Sequence, residues 1–368
     1  MLRYGIIGCG MMGQEHLRNI SLLDQAAVAA IFEPDAAMRA AAAALVPGAR
    51  MVGSVAELLA VEDVNCLLIA SPNYLHLAQL EEIARIRPLP VLCEKPLFTD
   101  PADAPRLAAL RAAYPAPIWV AMEYRYMPPV AHLLREAAAA TGGVRMLTIR
   151  EHRFPFLSKV GDWNRFNRNS GGTLVEKCCH FFDLMRLVAG CDPVRVMASG
   201  GQAVNHLDEV YDGQASDIWD HAFVIVDFES GMRAMLELCM FAEGSRYQEE
   251  ISAVGAKGKI ECLVPGPGRF WPAHLGPAPV PKVIVSPRHP AGPVEMDIPV
   301  DPALLAAGDH NGSTFFQHQG FQRAATGKQD PEVSLTDGWW AVAMGMAAQE
   351  SAMTGQAVDL RKVSYVPA

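Results

Sequence analysis

The residues best suited to chemistry are Glu176, His180 and Asp183, four and three positions apart in a stretch with helical spacing, Thr173–Val188. On one unbroken helix that spacing puts all three on one face. A carboxylate beside an imidazole can hold and pass a proton near neutral pH, and Asp183 can orient the ring or raise its basicity. The same stripe also reads as a solvated polar face with an ordinary histidine. Lys95 poses a similar choice. A lone lysine after a strand is usually surface, but at the carboxyl end of a parallel strand, where ligands bind, burial would lower its pKa toward proton transfer. Pro96 restrains the backbone that carries it.

The elements that must position these groups begin at the first residues. Tyr4-Gly5-Ile6-Ile7-Gly8-Cys9-Gly10-Met11-Met12-Gly13 contains G-x-G-x-x-G between a strand candidate, Leu2–Ile7, and a helix candidate, Met12–Leu23. Gly8 permits the sharp turn, Gly10 lets backbone approach a pyrophosphate, and Gly13 lets helix and strand pack closely. The amides near Met11 and Met12 then face the anion at the helix N-terminus. A second apolar run, Ala27–Phe32, ends in Glu33, placed to accept the adenosine ribose hydroxyls; a carboxylate there repels a 2′-phosphate, so NAD is expected rather than NADP. A structural turn with no cofactor is the plainer alternative.

From Asp35 onward, helix and strand alternate: helix Ala36–Leu45, strand Arg50–Val52, helix Val55–Ala60, strand Asn65–Ala70, helix Tyr74–Ile86, strand Pro90–Cys93, helix Asp103–Ala113 and strand Ile118–Glu123. That order predicts a doubly wound parallel sheet of the Rossmann type over residues 1–123. Ligands bind beyond the carboxyl ends of such strands, which singles out Ser71, Asn73 and His76, and Glu94 with Lys95, as cofactor-binding candidates. Residues 124–368 read as a substrate-binding and oligomerisation α+β domain, its mainly antiparallel open sheet drawn from Val144–Arg153, Val194–Val204, His221–Phe228, Met232–Phe241 and Glu250–Val254. Residues 265–293, dense in Pro and Gly, read as a long surface excursion. Helices Ser313–Ala325 and Thr336–Thr354 close the chain and can pack back on the first domain.

With 368 residues, two domains are expected. A net charge of −9 leaves no basic footprint for nucleic acid or an anionic membrane, and no apolar run is long enough to span a bilayer. The eight cysteines form no C-x-x-C pair, so neither a metal site nor dithiol chemistry is expected; buried thiols in a reducing compartment fit better. A strand candidate starting at residue 2 leaves no room for a signal peptide, and the expected location is the cytoplasm.

Five pieces in order, GIIGCGMMG at 5–13, SPNYLH at 71–76, CEKPL at 93–97, GGTLVEKCCHFFDLMRLVAG at 171–190 and ESAMTGQAVDL at 350–360, resemble the Gfo/Idh/MocA family, named for glucose–fructose oxidoreductase and inositol dehydrogenase. The resemblance implies a two-domain NAD(P)-dependent oxidoreductase acting on a sugar or polyol, and a homo-oligomer, dimer or tetramer, built through the second sheet. By position it implies that Lys95 lies near the nicotinamide and contacts the reacting hydroxyl, that His180 is the acid/base, that Glu176 stands where many members hold substrate hydroxyls with an aspartate, and that Asn73 and His76 line the nicotinamide side. A glutamate at 176 and the bulky Lys177-Cys178-Cys179 depart from the pattern. Arg125 and Tyr126 are candidates for reaching substrate or for an interdomain contact; Trp163 and Arg165 are candidates for the pocket wall. Besides a dehydrogenase, the sequence leaves open transient oxidation without net redox change, and a sensor of NAD or a sugar.

Overall fold

The apolar run Leu2–Ile7 forms β1, and the glycines beyond it turn the chain into α1, Met11–Ile20. The alternation continues through β2 (Ala26–Phe32), α2 (Ala36–Leu45), β3 (Arg50–Val52), α3 (Val55–Leu59), β4 (Cys66–Ile69), α4 (His76–Ile86), β5 (Val91–Cys93), α5 (Ala104–Ala113) and β6 (Ile118–Val120). Asp35 and Ser54 cap α2 and α3, their side chains accepting the Met38 and Glu57 amides. The strands pair in parallel in the order β3-β2-β1-β4-β5-β6. Helices cover both faces, which is why β4, β5 and β6 are apolar and buried at every position. The order reverses beside β1, and the crevice beyond the ends of β1 and β4 is where ligands of such sheets bind. The structure, a computed structural model, describes residues 1–367.

The second part contains α6 (Pro128–Thr141), β7 (Val144–His152), α7 (Asn167–Ser170), α8 (Thr173–Glu176), α9 (Cys179–Ala189), β8 (Pro193–Gly201), the small hairpin β9 (Val210–Tyr211) and β10 (Gln214–Ala215), β11 (His221–Phe228), β12 (Arg233–Cys239), β13 (Glu249–Gly255), β14 (Gly258–Val264), β15 (Lys282–Pro287), β16 (Val294–Asp297), α10 (Pro302–Ala307), α11 (Ser313–Ala325), α12 (Leu335–Thr354) and β17 (Val358–Asp359). Nine strands form one open sheet, β16-β15-β14-β13-β7-β12-β11-β8-β17. Its neighbours are antiparallel except β7 and β12, which run parallel.

Three expectations need correction. Helix α6 was not anticipated, because Pro128-Pro129 reads as a breaker although prolines are tolerated in a first helical turn. The stretch 265–293 is an excursion only as far as 281; Lys282–Pro287 is a strand inside the sheet, flanked rather than interrupted by proline. After β13 the chain turns at Ala256-Lys257 into β14, a strand absent from the expected sheet. Among the closing helices, α11 packs on α1, and α12 lies against β8, α8 and α9. No helix among the described residues is long and apolar enough to cross a membrane.

Candidate active site

A cavity of about 730 Å³ lies at the carboxyl edge of the parallel sheet. Gly8, Gly10, Met11, Met12, Glu33, Ser71, Asn73, Glu94 and Lys95 line it, so most of the expected cofactor residues share one wall. The glycines divide their work as expected. Gly8 has φ +89°, and a Cβ there would lie 2.6 Å from the Ser71 nitrogen; a Cβ on Gly13 would press into the Gly8 carbonyl; a Cβ on Gly10 would meet nothing within 4 Å. The last position is thus free for a ligand to reach the backbone. The α1 ladder opens with Gln14 N–H to the Gly10 carbonyl, which leaves the preceding amides outside it, directed at the cavity end. Glu33 is buried, and its two oxygens accept the amides of Cys9 (2.5 Å) and Asp35 (2.8 Å). The carboxylate therefore ties the glycine turn to β2, with lone pairs left for ribose hydroxyls. These features fit a dinucleotide.

His76 departs from expectation. It is fully buried beneath the wall, with Nδ1 2.7 Å from the Pro96 carbonyl and Nε2 2.9 Å from that of Ser71. It braces two loops rather than lining the cleft. Asn73 does line it, while its amide donates to the Ser170 carbonyl (3.2 Å).

Lys95 precedes a cis peptide bond to Pro96. Its ammonium donates to the Glu176 backbone carbonyl at 3.0 Å. That carbonyl would otherwise serve the His180 amide in a continuous helix, and the expected helix Thr173–Val188 is indeed broken at Lys177-Cys178 into α8 and α9. The side chains of Glu176, His180 and Asp183 consequently meet different partners. The Glu176 carboxylate is buried, with Oε1 bonded to Lys159 Nζ (2.9 Å) and Oε2 without a partner. Lys159 belongs to a strap, residues 158–163, that lines the cavity together with Lys95 and Asn73. The strap is seated by Lys159 over the Trp163 ring (4.4 Å) and by Trp163 edge-on to Tyr74.

Asp183 does not orient His180. It forms a two-pronged ion pair with Arg125, whose Nε donates to Oδ2 at 2.6 Å, and both groups are almost fully buried. Arg125 also donates to the Glu332 carbonyl (2.9 Å), and Tyr126 donates to the Glu332 carboxylate (3.0 Å). These two candidates are structural contacts. Arg165, also buried, pairs with Glu209 (2.8 Å) away from the cavity. The His180 ring instead stacks on Tyr124, centroids 4.2 Å apart and planes 10° from parallel, with Nδ1 buried and unpartnered.

The charges differ from expectation in one respect. Burial opposes the Lys95 ammonium, yet Cys179, Glu94, Glu176 and Glu123 around it outweigh burial and hold its pKa above the usual lysine value rather than below. Lys95 is a charged donor. Burial drives His180 the other way, well below the usual histidine value, with Lys95, Lys177, His310 and Arg153 adding to the effect. The Lys95 charge thus favours a neutral His180 ring, while Lys95 lines the cavity and His180 does not.

Two buried networks flank Lys95, and neither had a sequence signal beyond isolated polar residues. In the first, Glu94 accepts from His16 Nε2 (3.0 Å), His16 Nδ1 meets His318 Nε2 (2.9 Å), and His318 Nδ1 meets the Tyr4 hydroxyl (3.2 Å). One choice of tautomers satisfies every atom of this chain. In the second, His310 Nδ1 donates to Glu15 (2.7 Å) and lies 3.6 Å from Glu123, while Thr314 bonds both carboxylates. Glu15, Glu123 and His310 are grouped closely enough to hold a metal ion, although no metal site was expected. Despite burial, the two carboxylates raise His310 to about 9, so at neutral pH its own proton holds the cluster together. The eight cysteines are free thiols; burial pushes Cys179 up to about 12 and Cys178 well above its usual value.

The family profile described as the NAD-binding Rossmann fold of an oxidoreductase family, GFO_IDH_MocA, matches residues 2–122, and its C-terminal alpha/beta domain matches residues 140–360. Inositol 2-dehydrogenase of Corynebacterium glutamicum strain R is 29% identical over 272 residues, 73% of this chain and 76% of that protein. Inositol 2-dehydrogenase of Leifsonia xyli is 34% identical over 191 residues, 51% of this chain and 54% of that protein. Among solved structures, a myo-inositol dehydrogenase from C. glutamicum superposes with TM-score 0.75 at 21% identity, covering 99% of this chain and 100% of that one. Levoglucosan dehydrogenase, solved with NADH and levoglucosan, gives 0.78 at 19%, covering 98% and 100%. With both of its domain profiles matched in order, the chain belongs to the Gfo/Idh/MocA oxidoreductase family.

Proposed function

We propose that the protein is an NAD-dependent dehydrogenase that oxidises a secondary alcohol of a sugar or inositol-like cyclic polyol. The observation that carries this reading is Lys95 on the cavity wall with its ammonium bonded to the Glu176 carbonyl, at the turn that leads to His180, whose ring the Lys95 charge helps to keep neutral. When bound, the nicotinamide supplies the acceptor for the hydride leaving the carbinol carbon. His180 takes the hydroxyl proton as the C=O bond forms. Lys95 donates a hydrogen bond to the same oxygen and stabilises the negative charge that develops there. The buried Oε2 of Glu176 lacks a partner and sits behind Lys159 of the cavity wall; a second substrate hydroxyl that reaches it would be accepted there, which suits a polyhydroxylated substrate.

Glu33 supports NAD over NADP, since its carboxylate lines the cavity where a 2′-phosphate would sit. Residues 1–123 then form the cofactor domain and 124–368 the substrate and assembly domain. The outer face of the large sheet exposes Phe223, Ile225 and Met146, which supports a homo-oligomer, dimer or tetramer, through that face. Eight free thiols suit a reducing compartment such as the cytoplasm. The test is NADH formation by the purified protein across a panel of inositols, aldoses and their deoxy analogues. Turnover of one such polyol with NAD supports the reading; no turnover across the panel, with NADH still bound tightly, contradicts it.

A further inference from the structure

A catalytic imidazole is ordinarily held by a hydrogen bond to its second nitrogen. His180 has no such bond, and the carboxylate three residues on is committed to Arg125. Its plane is instead matched by the Tyr124 ring, within 10°. The Tyr124 hydroxyl accepts from Lys177 Nζ at 2.5 Å, and the same ammonium lies 2.8 Å from Glu151. Glu151 stands directly opposite Glu249 in the β7–β13 register, so the chain of contacts ends on the central strands of the large sheet. Tyr124, Lys177, Glu151 and Glu249 are all buried. The helix break at Lys177-Cys178 lets Lys177 turn toward the sheet while Glu176 faces Lys95 and Lys159.

We propose that Tyr124 and Lys177 are positioning residues for His180: the phenol is the plate that fixes the imidazole plane, and Lys177, anchored on Glu151, fixes the plate. The inference rests on His180 being the base of the proposed reaction. It accounts for a bulky charged residue at 177 and a tyrosine at 124, neither of which the reaction itself uses.

The groups that act on His180 come from several elements. Lys95 stands at the end of β5, Lys177 at the α8–α9 junction, Arg153 just after β7 and His310 just before α11. Burial comes first, and these four basic groups add to it in favouring the neutral ring; the nearby acids are committed elsewhere, Asp183 to Arg125, Glu176 to Lys159, Glu123 to Thr314 and Glu151 to Lys177. Removing Lys177 therefore raises the pH at which His180 gains its proton, and the acid limb of kcat/KM moves up with it.

The experiment uses the full-length protein with NAD and compares wild type with Lys177→Met, Lys177→Arg, Tyr124→Leu and Tyr124→Phe, each checked for folding by circular dichroism and NADH binding. The pH profile of turnover is measured alongside the NMR titration of the His180 ring proton, assigned with His180→Asn. Lys177→Met is expected to move both midpoints upward by about one pH unit, and Lys177→Arg to restore them. Tyr124→Leu is expected to lower kcat by about tenfold or more with substrate KM within about twofold, and Tyr124→Phe, which keeps the plate, to lose less. Coincident titrations of wild type and Lys177→Met, or full kcat in Tyr124→Leu, would overturn the proposal. If wild type turns over no polyol, the dehydrogenase reading fails on that assay, while the NMR titration still decides whether Lys177 governs His180.

Discussion

Replacing Glu33 by glutamine tests the cofactor end of the site in isolation. The side chain keeps its size but loses its charge, and one of its two oxygens becomes a donor. Either the Cys9 amide, now at 2.5 Å, or the Asp35 amide, at 2.8 Å, then faces an N–H instead of an acceptor. An unsatisfied buried amide costs about 1–3 kcal/mol, felt as a looser glycine turn and weaker binding of both dinucleotides. The charge has a separate, selective effect. A carboxylate about 4 Å from a phosphate charge is repelled by about 4 kcal/mol at an effective dielectric near 20, and screening in an open cavity reduces this to about 2 kcal/mol, or about 30-fold. Titration of NADH and NADPH by fluorescence at one fixed salt concentration needs no substrate. The expected result is weaker NADH binding and an NADH-to-NADPH preference reduced by about 30-fold. An unchanged preference in a folded variant would show that Glu33 does not meet the ribose.

Other expectations concern catalysis, stability and assembly. Lys95→Met should lower kcat by about 10²–10³-fold while NADH binding is kept, because it removes a charged donor to the developing alkoxide; undiminished turnover would remove Lys95 from the mechanism. Arg125→Ala strands the buried Asp183 carboxylate and should cost about 3–5 kcal/mol in denaturant unfolding, most of it recovered by pairing it with Asp183→Leu. Burial, with Glu151 opposite, raises Glu249 to about 7. The folded chain keeps that proton after the unfolded chain has released it, so stability falls as pH rises from the usual carboxyl range through 7, and Glu249→Gln should flatten this slope in Tm against pH. Phe223→Asp, on the exposed sheet face, should shift the protein toward monomer in sedimentation without loss of NADH binding.

The parallel sheet was legible because its signals are local. Continuous apolar strands, capping residues such as Asp35 and Ser54, and glycines with separate steric tasks each constrain the chain within a few residues. The helix break at Lys177-Cys178 was not legible, since the stretch has unbroken helical spacing and the competing partner for the Glu176 carbonyl, Lys95, is 81 residues away. The same holds for Asp183, whose periodicity placed it beside His180 while a distant arginine claimed it. Lys95 was expected to be depressed by burial; the acids that reverse this, Glu123 and Glu176 among them, come from other elements. Tyr124, Lys159 and His310 carried no motif at all, and only the folded chain brings them near the reactive end.

The most direct test of the hydride-transfer claim uses a polyol substrate from the panel labelled with deuterium at each carbinol carbon in turn. After incubation with the protein and NAD, the isolated NADH is analysed by mass spectrometry. The account predicts deuterium in NADH from one labelled position, with a slowed rate for that isotopologue and transfer suppressed in His180→Asn. Product formed with no deuterium in NADH, or transfer unchanged in His180→Asn, would contradict it.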